Sequence, residues 1–163
     1  MPTNKKPRKK HRPRTLYNPI ELAMQNTQPV TEYDPSYILK LKLRNHSAMD
    51  NLVKGRADKK DINCLIALHN IMEAWYQMGI CKPLSDEILA GKRAVMEICF
   101  RAVTKSKFIA TGPEISALNT LMELHDEMLP GLTSKDFDEG ILLAKKIIAK
   151  REATILPEVE EIT

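Results

Sequence analysis

From Ser36 onward apolar residues recur at steps of three and four, and Gly, Pro, acidic or hydroxyl residues interrupt them at intervals. That period belongs to helices with one buried side. The first long segment runs from Ser36 to about Lys54, with Ile38, Leu41, Ala48, Met49 and Leu52 on one face and Gly55 as its stop. Ile38 to Leu43 also alternates as a strand would, which leaves that stretch open to either reading. Asp58 and Asp61 then sit where acids favour a helix start, and a second helix extends to Met78 before Gly79. It is apolar on two faces: Ile62, Leu65, Ile66, His69, Met72 and Tyr76 make one stripe, and Cys64, Leu68, Ile71 and Trp75 another. It is the element expected to be most buried.

Pro83 followed by Ser85, Asp86 and Glu87 opens a third helix through about Thr104, carrying Ile88, Leu89, Val95, Met96, Cys99, Phe100 and Val103, with Gly91 placed for a close helix crossing. Thr111-Gly112-Pro113-Glu114 is a capping box with a first-turn proline, and its helix continues to about Leu129, ended by Pro130-Gly131. Thr133 to Asp136 caps a fifth helix to about Arg151, with Phe137, Ile141, Ala144 and Ile148 as the buried stripe. Ahead of these, Asn18-Pro19-Ile20-Glu21 predicts a short helix from about Pro19 to Gln25, whose Ile20, Ala23 and Met24 would pin the leading segment to the body. Asn26 to Pro35 reads as a linker.

Composition supports this picture. The 163 residues are 43% apolar, enough for one core, and only 5% aromatic, with Leu, Ile, Ala and Met predominating. The expectation is an all-α, single-domain bundle of four or five helices over residues 36–153. A basic arm (1–14), disordered or extended, and a short helix with linker (15–35) precede it, and an acidic tail (154–163) follows. Cys64, Cys81 and Cys99, widely spaced and odd in number, read as reduced thiols of a cytoplasm-like compartment. The stretch after the arm is too polar for a secretory leader, and no run approaches the eighteen or so apolar residues of a membrane span.

Charge adds the one strong functional signal. Lys5, Lys6, Arg8, Lys9, Lys10, Arg12 and Arg14 fall in the first fourteen residues with His11 and three prolines, and no acid occurs before Glu21. The whole chain has 25 basic and 21 acidic residues, so without these seven it holds 18 against 21. Positive charge is therefore an appendage to a near-neutral body. Such an arm can reach on the order of 40 Å at about 3.1 Å per residue in polyproline geometry. It binds polyanions by counterion release, and the arginine forks suit phosphates, of DNA or RNA. Nuclear import, an anionic membrane surface and a merely solubilising tail are the other readings, and no acylation signal or amphipathic anchor supports the membrane.

Other constellations are weaker. The joint at Met78 to Pro83 could be the turn of a helix-turn-helix, yet Ser85, Asp86 and Glu87 would set carboxylates against phosphates. His69 with Glu73, and Glu123, His125, Asp126 and Glu127, are the metal candidates. Neither has the Glu-x-x-His spacing of a two-metal bundle, and both histidines fit a hydrogen-bonded core role. No phosphate-cradling glycine loop or nucleophile elbow occurs. Cys81, expected in a loop beside Lys82, is a candidate low-pKa thiol or an inert solvent-facing one. No catalytic residue, cofactor or metal is expected. The Met-rich faces suit core filling, self-association or a partner surface.

Lys10-His11-Arg12-Pro13-Arg14, then Asn18-Pro19-Ile20-Glu21-Leu22-Ala23-Met24, then Asp61-Ile62-Asn63 and Ala74-Trp75-Tyr76-Gln77-Met78-Gly79 resemble a group of small uncharacterised proteins encoded in phages and prophages of proteobacteria. The resemblance spans nearly the whole chain and implies a bacterial cytoplasm and a phage accessory role, with no mechanism attached. Together these readings lead to a non-enzymatic accessory or regulatory protein whose arm associates with nucleic acid and whose body contacts another protein or itself. The alternative is an adaptor or inhibitor of a host defence or replication factor.

Overall fold

The structure, a computed structural model, describes residues 19–150; residues 1–18 and 151–163, which hold the basic arm and the acidic tail, lie outside the described residues. Among the described residues the regular structure is helical. The helices are α1 (Pro19–Thr27), α2 (Val30–Tyr33), α3 (Pro35–Val53), α4 (Lys59–Gln77), α5 (Ser85–Lys105), α6 (Gly112–Met128) and α7 (Ser134–Ala149). The five long ones, α3 to α7, match the predicted segments to within about two residues, and Ile38 to Leu43 is helix.

Local chemistry accounts for the ends. Asp58 accepts from the N–H groups of Lys60 (2.8 Å) and Asp61 (2.9 Å), while Asp61 accepts from the Asp58 N–H (3.1 Å). Thr111 with Glu114, and Thr133 with Asp136, close the same reciprocal cap on α6 and α7. Gly55 and Gly79, at φ +65° and +85°, turn the chain out of α3 and α4. Helix α5 departs from expectation: Ser85 is its first residue rather than its cap, and a 3-10 turn at Lys82–Leu84 feeds the chain in without a side-chain cap.

Helix α4 lies at the centre and touches α3, α5, α6 and α7. Around its first half pack Met49, Leu52, Val95, Ile98 and Leu118, and around its second half Ile38, Ile88, Leu121, Leu129 and Phe137. Two glycines set how close the helices come. A Cβ on Gly91 would stand 2.7 Å from Leu121 Cδ2, so α5 crosses α6 tightly there, as the position of that glycine predicted. Gly140 of α7 gives the same room to the Trp75 indole, whose Cδ1 would lie 2.6 Å from a Cβ.

Several side chains sit elsewhere than expected. The segment read as a linker carries α2, with Val30 buried, and is joined to the start of α7: the Val30 N–H donates to the Leu132 carbonyl and the Ser134 N–H to the Gln28 carbonyl, both at 2.9 Å. Val30 and this short bridge hold the segment, and α1 also lies against α7, with Ile20, Ala23 and Met24 exposed rather than buried as the expected pin. Tyr76 is exposed because Trp75, three residues after Met72, stays on the core side where the stripe drifts around the helix. Ile148 is likewise exposed, and α7 buries Phe137, Gly140, Ala144 and Ile147 instead.

Because the indole fills the space a methyl would need, Gly140→Ala is expected to destabilise the fold by about 1–3 kcal/mol through overpacking. That sign opposes the gain of about 1 kcal/mol that alanine brings to an open helix position. Urea denaturation of both proteins checks it, and an equal or higher midpoint for the variant would contradict the packing described.

Candidate functional site

Where α3 meets α4 and α7 the bundle leaves a cavity of about 170 Å³, walled by Leu41, Leu68, Ile71, Phe137 and Ile141. Three polar side chains interrupt the apolar lining: Asn45 of α3, Asn70 of α4 and His125 of α6. The exposed cations Arg44 and Lys145 also border it. Asn45 is 1% exposed, and neither its Nδ2 nor its Oδ1 has a hydrogen-bond partner among the described residues. A buried amide so placed costs stability, on the order of 1–3 kcal/mol.

Around the cavity the polar groups form two short chains. His69, fully buried, meets the Asn70 Oδ1 through its Nδ1 at 3.3 Å and has Glu73 3.9 Å away, and Lys92 reaches Glu73 at 3.4 Å. His125 stacks on Trp75, with centroids 5.5 Å apart, and its Nδ1–H donates to Asp126 at 3.1 Å. Asp126 also accepts from His46 Nε2 at 2.9 Å, and its backbone carbonyl accepts from Lys42 at 3.3 Å. These contacts tie α3 to α6.

Burial sets the charge states. It pulls both His69 and His125 below the ordinary imidazole value, against the opposing pull of Asn70 and Glu73 on one and of Asp126 on the other. Burial pushes Asp126 up, but hydrogen bonds from His46 and His125 and the nearby Lys42 outweigh it and leave the carboxyl below its usual range. The interior therefore holds neutral imidazoles beside an ionised carboxylate.

The thiols run the other way. Cys81 is buried rather than in an open loop: the turn after α4 folds its Sγ to 3.6 Å from the Met72 carbonyl, and burial raises its pKa. The low-pKa thiol considered for this position is thereby corrected. Cys64 is raised as well, and Cys99 is pushed up to about 11. All three favour the protonated, weakly nucleophilic form near neutrality. Among the described residues no group of three or more His, Cys, Asp or Glu side chains is placed to hold a metal ion, and no helix is long and apolar enough to cross a membrane.

What this cavity can do is bind. Its amide offers a donor and an acceptor, its walls are apolar, and two cations stand at its border. Asn45 was legible only as a polar residue at a stripe position between Leu41 and Ala48; it is buried on α3, which packs against α4 and α6. The arm residues Lys5, Lys6, Arg8, Lys9, Lys10, Arg12 and Arg14 all fall outside the described residues. Compared with known protein families, characterised proteins and solved structures, the chain shows no match.

Two outcomes follow from this interior. Asn45→Leu, close in shape and without polar atoms, is expected to raise stability by about 1 kcal/mol or more, read as a higher urea midpoint; a lower midpoint would show that the amide is satisfied in solution. Both histidines have native pKa values below the 6.5 of the unfolded chain. The unfolded state therefore binds more protons as pH falls, and stability is full above about pH 6.5 and lost below it. The slope reaches up to about 1.4 kcal/mol per pH unit for each histidine, before the carboxylates titrate. A flat stability profile between about pH 7 and 5.5 would mean that the histidines are not held neutral.

Proposed function

We propose that this chain is a non-enzymatic, phage-type accessory or regulatory protein that associates with nucleic acid through Lys5, Lys6, Arg8, Lys9, Lys10, Arg12 and Arg14. The observation that carries the reading is the segregation of charge. Of the 25 basic residues, seven lie in the arm and one, Arg151, beyond residue 150; of the 21 acidic ones, four lie beyond residue 150. Residues 19–150 thus hold 17 of each sign and are formally neutral.

A neutral body does not attract a polyanion at long range, so the field of the protein is the field of its arm. Seven closely spaced cations release counterions from a phosphate backbone whatever its sequence, and affinity then falls steeply with salt. In this reading the body's task is contact with protein, which suits a bundle with apolar side chains left on its surface. A bacterial cytoplasm is the compartment proposed, in keeping with its free thiols.

Titrating plain duplex and single-stranded DNA across salt tests the proposal. Binding to duplex is expected to show a log–log slope approaching about −6 if all seven cations engage, at −0.9 per phosphate. Deleting residues 2–14 is expected to abolish it. No binding at low salt, or binding unchanged by the deletion, would overturn the reading; one stoichiometric host protein retained through the arm after nuclease treatment would favour the adaptor instead.

A further inference from the structure

Helix α5 buries one side and leaves the other bare. Ala94, Val95, Ile98 and Ala102 are buried in the bundle. On the opposite side Leu89, Met96, Phe100 and Val103 are 49, 38, 60 and 45% exposed. Leu89, Met96 and Val103 are seven apart, and Phe100 stands between the last two, so all four fall in one row. The row is about 21 Å long at 1.5 Å per residue. A single exposed leucine is ordinary, whereas four apolar side chains aligned on one helix face, with Lys92 and Arg93 at the turn between Leu89 and Met96, mark a contact surface.

The charges beside the row say what fits it. On one flank Lys92 is already occupied by Glu73 of α4. On the other flank stand Arg93 and Glu97, both exposed and neither within 4 Å of an opposite charge among the described residues, although Glu97 feels the Arg101 guanidinium one turn on. A partner helix complements this flank when it brings an acid level with Arg93 and a base level with Glu97. Helix α5 of a second copy does this when it runs antiparallel about a two-fold axis at Met96. Leu89 then lies level with Val103 of the second copy, and like flanks face each other. Arg93 of each copy comes within two residues, about 3 Å along the axis, of Glu97 of the other, a gap that long side chains span. A parallel pairing would instead set Arg93 beside Lys92 of the second copy, cation against cation.

We infer that the outer face of α5 is the interface of a symmetric antiparallel homodimer, with Met96 on the axis and two Arg93–Glu97 pairs at its rim. Methionine suits the axis, because its flexible thioether can pack against its own image. The inference does not depend on what the arm binds; it adds that one particle would present two arms.

Sedimentation equilibrium of the full chain, at up to about 100 μM, reads the assembly. The wild type is expected at twice the chain's 18.5 kDa. Phe100→Glu is expected to give a monomer with an unchanged helical spectrum, since the ring is exposed. Arg93→Glu and Glu97→Arg each place two like-charged pairs at the rim and are expected to weaken association roughly tenfold. The double variant R93E/E97R restores opposite charges and is expected to recover it. A monomeric wild type over that range, a dimer unaffected by Phe100→Glu, or a double variant no tighter than the single ones would overturn the inference.

Discussion

Burial of α4 is the constraint on which the bundle depends. A helix with Ile62, Leu65, Ile66, Leu68, Met72 and Trp75 spread over two faces cannot lie on a surface, and four other helices are needed to cover it. Trp75 concentrates the requirement: its indole stacks on His125, tilts against Phe137 and lies against the bare backbone of Gly140. One large side chain on α4 thereby sets the approach of both α6 and α7. Aromatic contacts of this kind add to area burial and fix orientation as well.

Polar groups complete what apolar burial begins. Arg101 of α5 holds Glu114 of α6 with two hydrogen bonds, at 2.5 and 3.1 Å, and the same carboxylate accepts the Thr111 N–H at 2.7 Å. One glutamate thus caps α6 and ties it to α5. At the turn between α3 and α4, Asn51 donates to Asp61 and accepts from Arg56, joining the end of one helix to the start of the next. The buried histidines and Asn45 belong to another class, since they cost free energy where they stand and bring acid sensitivity or a binding edge with them.

The proposed function rests on the separation of charge along the chain. The neutral bundle offers an apolar row on α5 and a small cavity under α7, while the cations that would meet a polyanion are gathered before residue 15. In the proposed reading arm and body act on different partners, and a paired body would raise the arm's effective concentration on a long polymer.

Helix positions were legible because they follow from nearest neighbours: a 3.6-residue period, capping pairs such as Asp58 with Asp61, and glycines at the ends each act within one or two turns. Which side of a helix is buried was only half legible. Periodicity marked α4 as central, but it could not tell that α5 turns Leu89, Met96 and Phe100 outward, that α7 buries Gly140 and Ile147, or that Asn26 to Pro35 docks beside Leu132. By itself the sequence determined the helical class, the extent of the five long helices to within about two residues and the charge of the arm, since these depend on residues close along the chain. Tertiary structure alone decided the burial of Asn45 and Cys81, the lowered histidines and the bare face of α5, because each depends on which distant helix arrives to exclude water.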